Sequence, residues 1–170
     1  MRRLRMMLVM VPVALVTLLG AAPWRGLPPC VLARFEGITF TDPQGTIVGA
    51  TDPGDWGCLG GPPRRAAGVP APPPTQFCFR PACPNPSTGA VRLSFSLPRA
   101  SPVSVTLYGQ KHGLRSAYLI RTLTEGTLVA GEFTLLWDGT DDQGARVPTG
   151  LYRAVMTVPD GTICGDIEIR

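Results

Sequence analysis

One histidine, His112, and one lysine, Lys111, stand side by side in a chain of 170 residues. Serine and cysteine nucleophiles normally need an orienting base, and a lone His in a loop beside Lys111 supplies a poor one. Charged residues make up only 16% of the chain, and its Arg residues are scattered apart from the Arg64-Arg65 pair. A basic stripe able to track a phosphate backbone is therefore missing. Gly-x-Ser-x-Gly, His-Glu-x-x-His, a phosphate loop and a dinucleotide fingerprint are all absent. Beyond the first 22 residues there is no long apolar run and no amphipathic helix of useful length. These absences point away from an enzyme and from a cofactor, and leave a chain that acts through its surface.

What is present begins with a leader. Arg2, Arg3 and Arg5 precede an apolar run over residues 6–19 and then Gly20-Ala21-Ala22, the charged, apolar and small-residue order of a signal peptide. The run is short for a bilayer, which needs about 20 apolar residues, so an uncleaved anchor is the second reading. Removing its three Arg takes the formal charge from +4 to +1. All five cysteines, Cys30, Cys58, Cys78, Cys83 and Cys164, lie beyond the leader, where an oxidising compartment would pair four of them. Cys30 is also a lipidation candidate, although Leu27-Pro28-Pro29 lacks the small residue wanted before it.

The most informative stretch is GEFTLLWDGTDDQGARVPTGLY, residues 131–152. Phe133, Leu135 and Trp137 alternate on one face of a strand, a turn dense in Asp and Gly follows, and a second strand begins at Leu151. Trp137 can pack inward, Asp138, Asp141 and Asp142 can accept hydrogen bonds from neighbouring amides, and Gly139, Gly144 and Gly150 can take positive φ. The same three Asp are the candidate metal ligands, for calcium. Their spacing is not that of an EF-hand loop, and Thr149 stands where the bidentate Glu would be.

With Pro84-Asn85-Pro86, Leu107-Tyr108 and residues 120–123, the run WDGTDDQGARVPTGLY resembles the Ig-like domain of flagellar hook-capping proteins. The C-terminal sorting domain of proteins secreted by the bacterial type IX system is similar. The resemblance covers about residues 84–170 and implies an Ig-like antiparallel β-sandwich. It also implies work in secretion, surface attachment or extracellular assembly. Where the family usually has a short Asp-Gly turn after Tyr108, this chain has a longer loop ending at Tyr118.

The remaining pattern fits an all-β chain. Val91, Leu93, Phe95 and Leu97 alternate with polar residues, as do Val103, Val105 and Leu107, and strands are expected over 119–123, 133–137, 151–158 and 162–169. The expected core is Val91, Leu93, Phe95, Val105, Leu107, Leu123, Phe133, Leu135, Trp137, Tyr152, Met156, Ile163 and Ile167. Earlier, Phe35, Ile38 and Phe40 lead into Asp42-Pro43-Gln44-Gly45 and Thr46-Ile47-Val48, a hairpin. Pro62-Pro63, Pro70 and Pro72-Pro73-Pro74 mark a semi-rigid linker. The expected organisation is signal peptide 1–22, hairpin segment 23–59, proline-rich linker with cysteines 60–83 and sandwich 84–170.

Three functions stay open. The first is an exported, non-enzymatic Ig-like module, secreted or in the cell envelope, whose partner is a protein or cell-envelope surface. The second is a sorting domain addressed to a secretion machine, and the third a small periplasmic thiol-redox or metal protein. Neither nucleic acid nor a membrane span after leader removal is expected. Cys58, Cys78, Cys83 and Cys164 are the disulfide candidates. A Cys78–Cys83 bridge suits their spacing better than a redox pair or half a zinc site. Alternation places Cys164 on the outer face of the last strand, expected to bind Cys83 or Cys78.

Overall fold

The computed structural model describes residues 27–33, 37–60, 73–110 and 117–170. The leader, most of the proline-rich stretch, Phe35, Lys111 and His112 lie outside the described residues.

Among the described residues, eight strands form two antiparallel sheets packed face to face, an Ig-like β-sandwich. Three pairs of apolar-alternating segments account for most of it. β3 (Val91–Leu97) pairs along its whole length with β6 (Gly131–Trp137). β4 (Ser101–Gln110) lies between β5 (Ala117–Leu128) and β7 (Gly150–Val158), and β7 forms a hairpin with β8 (Gly161–Ile169) around Pro159 and Asp160. Two short strands, β1 (Gly57–Cys58) and β2 (Cys78–Phe79), extend the first sheet beyond β3. The strand orders are β1-β2-β3-β6 and β5-β4-β7-β8. The first sheet thus draws on residues before 84.

Inward-facing side chains follow the period of two. Val91, Leu93, Phe95, Leu97, Val105, Leu107, Trp137, Met156 and Ile167 are fully buried, and Tyr152 and Ile163 nearly so. Leu123, Phe133 and Leu135, expected in the core, are only half-buried against it. The reason is position: β5 and β6 are the outer strands of their sheets, so among the described residues no further strand flanks these side chains. Phe133 retains a stacked contact with Phe95, ring centroids 5.1 Å apart.

The opposite side of the sandwich is plugged by residues that alternation does not mark. Trp56, in the turn before β1, inserts its indole between the sheets and meets Phe79 edge-on at 5.0 Å. Phe77, Phe79 and Ala82 complete that side. Trp56 adopts φ 58°, a backbone conformation uncommon outside glycine, and its N–H donates to the Cys164 carbonyl.

The residue 41–47 turn forms as a bridge between Thr41 and Ile47 and not as full strands. Asp42 Oδ1 accepts from the amides of Gln44 and Thr46, which closes the turn without a longer ladder. Its first arm is tied to the domain, because Thr41 and Asn85 exchange main-chain bonds and Thr41 Oγ1 donates to the Ala82 carbonyl.

Candidate interaction surface

The turn after β6 is built from the inside out. Trp137 is fully buried, meets Tyr152 edge-on at 5.4 Å, and donates from Nε1 to the Thr140 carbonyl. Tyr152 donates its hydroxyl to the Pro148 carbonyl at 2.6 Å. Two aromatic rings therefore hold the two ends of the turn on the core.

Its acidic residues are used by the backbone. Asp138 Oδ1 accepts from the Thr140 amide and hydroxyl and from Arg121 Nη1. The Thr140 hydroxyl, then its amide and Arg121, hold the Asp138 carboxyl below the usual range. Asp141 Oδ1 accepts from the amides of Gln143 and Ala145. Gly139 and Gly144, at φ 77° and 81°, supply the left-handed corners, and a side chain at Gly139 would also meet the Arg146 guanidinium. Gly150 opens β7 at φ 153°.

Asp142 does something different. Its amide donates to the Ile120 carbonyl and its Oδ1 accepts from the Thr122 amide, so one residue satisfies two groups on the outer edge of β5. Asp138, Asp141 and Asp142 thus sit in one turn, each spending a carboxylate oxygen on main-chain donors. Among the described residues, no group of three His, Cys, Asp or Glu is placed to hold a metal ion.

A second polar cluster lies on the outer face of β7 and β8. Arg153 and Asp166 form a buried two-pronged ion pair, Nε to Oδ1 at 2.6 Å and Nη2 to Oδ2 at 2.7 Å. Arg153 also donates to the carbonyls of Cys30 and Ala33, which draws the N-terminal segment over the sheet. There a short 3-10 turn, Pro29–Leu32, buries Val31 against Val155 and Cys164. Asp55 Oδ2 accepts from the Asp166 amide. Burial, with the Asp166 charge as the second cause, pushes the Asp55 carboxyl up to about 7.

The cysteines pair as Cys30–Cys164 and Cys58–Cys78, leaving Cys83 free. The expected Cys78–Cys83 bridge is therefore corrected. Cys78 pairs with Ser96 and Cys83 with Arg92, so the chain between them runs extended along β3 and keeps the two apart. Cys78 instead lies directly opposite Cys58 in the β1–β2 register. Cys164 does face outward and does bind the preceding segment, but through Cys30 and not Cys83 or Cys78. Once Val31 packs over β8, Cys30 is the thiol brought to that face.

Sequence reasoning missed Arg153, Asp166, Asp55 and Trp56. A signal was available for the first pair: the outward positions of β7 set Leu151 and Val155 beside Arg153 and Thr157, more apolar than a face turned wholly to water. Asp55 and Trp56 lie in a turn whose docking no local pattern announces.

Residues 85–161 match the family model of the FlgD Ig-like domain. The match leaves out β1, β2, all but the first residue of β8 and the N-terminal segment that covers the outer face. No curated protein and no solved structure matches the chain.

Proposed function

We propose, from the premise that residues 85–161 are a FlgD Ig-like domain, that this chain is an exported, non-enzymatic module. Its work is interaction or assembly at the cell envelope or outside it. The observation that carries the reading is the fate of the polar chemistry in its densest motif. Asp138, Asp141 and Asp142 are each engaged with backbone amides or Arg121, so the turn serves architecture. What remains for a partner is surface.

Two disulfides support an oxidising destination, where thiols pair and stay paired. The charged, apolar and small-residue order of residues 1–22 supports the route. No helix among the described residues is long and apolar enough to cross a membrane.

The test is expression of the full chain with a C-terminal epitope in a bacterial host, followed by fractionation and thiol mapping. A processed chain outside the cytoplasm with both disulfides formed is the expected result. An unprocessed cytoplasmic chain with five free thiols would overturn the reading. Fusing residues 27–170 behind an exported reporter in a type IX host separates assembly from sorting, since delivery of the reporter to the cell surface favours sorting.

A further inference from the structure

Each outer strand of a sheet presents main-chain donors and acceptors that water or another chain must satisfy, and proteins usually blunt such edges. Three of the four edges here are managed. β8 is covered from Cys164 onward: Trp56 donates to the Cys164 carbonyl, Asp55 accepts from Asp166, Asn85 bonds both the Asp166 carbonyl and the Glu168 amide, and Ser87 pairs with Glu168 and Arg170. β5 is capped by Asp142 at Ile120 and Thr122, carries Arg121 and Glu125 and is twice shifted in register against β4, and β1 is only two residues long.

β6 is the exception. It pairs with β3 over all seven residues on one side, and among the described residues no main-chain bond reaches it from the other. It has no Pro, Lys or Arg, and its one charge, Glu132, is drawn across the sheet to Arg80. Phe133 and Leu135 remain half-buried for want of a neighbour, and Leu136 is 64% exposed.

We propose that the free edge of β6 is a self-association site, where β6 of a second copy adds antiparallel about a two-fold axis at Thr134. The sequence of the strand is self-complementary in that register. Gly131 faces Trp137, Glu132 faces Leu136, Phe133 faces Leu135, and Thr134 faces its own equivalent. No like charges oppose one another, and aromatic–aliphatic and Thr–Thr pairs are favourable across strands. Of the antiparallel registers this alone pairs all seven residues. Moving the axis to Leu135 would set Glu132 against Asp138. The same patch is used on both copies, as two-fold symmetry requires.

The proposal rests on reading the module as one that works through its surface, but its test does not depend on export. Purified chain with both disulfides intact is studied by sedimentation equilibrium in a Cys83→Ser background, which removes covalent dimers. So small an interface predicts a weak monomer–dimer equilibrium, with Kd of about 10–100 μM. Leu136→Glu sets a carboxylate opposite Glu132 of the second copy and is expected to weaken association at least about ten-fold with an unchanged melting curve. Glu132→Lys combined with Leu136→Glu restores opposite charges and is expected to recover the dimer. A chain that stays monomeric at about 1 mM, or a dimer indifferent to both variants, overturns the proposal. Failure of this test leaves the export and thiol-mapping outcomes untouched.

Discussion

The indole of Trp56 occupies the space that a side chain at Gly165 would need: a Cβ built there would lie 2.1 Å from the ring. The glycine is required by close approach, since its register in β8 is regular and Ala154 lies opposite. A residue 109 positions upstream of Gly165 is thereby made part of the core.

Gly165→Ala is expected to expel the indole and cost about 3–5 kcal/mol, comparable to Trp56→Ala. The double variant should be far less destabilised than the sum of the two, because the clash and the lost contact are one event. Urea unfolding of the three proteins checks this, and additive losses would refute it.

Arg153→Met leaves Asp166 as an unpaired buried carboxylate and releases the Cys30 and Ala33 carbonyls. A loss of about 3–5 kcal/mol is expected. Replacing both, Arg153→Met with Asp166→Leu, should recover much of it. Thermal melts at neutral pH compare the three.

Asp55 predicts a pH dependence of unusual sign. Its folded pKa, about 7, exceeds its ordinary value of 3.8, so the native chain binds the extra proton between those limits. Stability from this group therefore falls as pH rises from about 4 to 7 and is level above that. Asp42 and Asp138, held below their ordinary range, act oppositely and lose their contribution as pH drops below about 4. Asp55→Asn should flatten the fall between pH 4 and 7 in urea titrations, and an unchanged slope would exclude the assignment.

Asp142→Ala removes the acceptor for Thr122 while leaving the Asp142 amide to Ile120. About 0.5–2 kcal/mol should be lost, and amide exchange at Thr122 should accelerate while β3 amides stay protected. Trp137→Ala, by contrast, should cost about 3–5 kcal/mol and unfold the domain as a whole.

Much of the sandwich was legible. Alternation in β3, β4 and β6 and the expected strands over 151–158 and 162–169 place five strands close to their observed bounds, while β5, expected over 119–123, runs Ala117–Leu128. The family match, residues 85–161, contains the WDG run. Phe133 and Leu135 were placed on the correct face yet overrated as core, because alternation reports the face of a sheet and not the distance from its edge. The segment before residue 84 was not legible in the same way. Trp56 reaches β8 through a positive-φ turn, Phe77 and Phe79 belong to a two-residue strand, and Cys30 meets Cys164 through tertiary packing. Each is a contact between distant segments, and local periodicity carries no information about such pairs. Asp166 shows the same limit: on an outward position it reads as a solvated charge until Arg153 and the covering segment are seen together.

The Cys30–Cys164 bridge joins residues 134 apart, and a ribosome delivers them in that order. Cys30 appears first and its partner last, after Cys58, Cys78 and Cys83 have all become available as wrong partners. The bridge can therefore close only after β8, which carries Cys164, has been made. A chain cut before β8 would leave Cys30 without its native partner, open to trapping reagents or to pairing with Cys83.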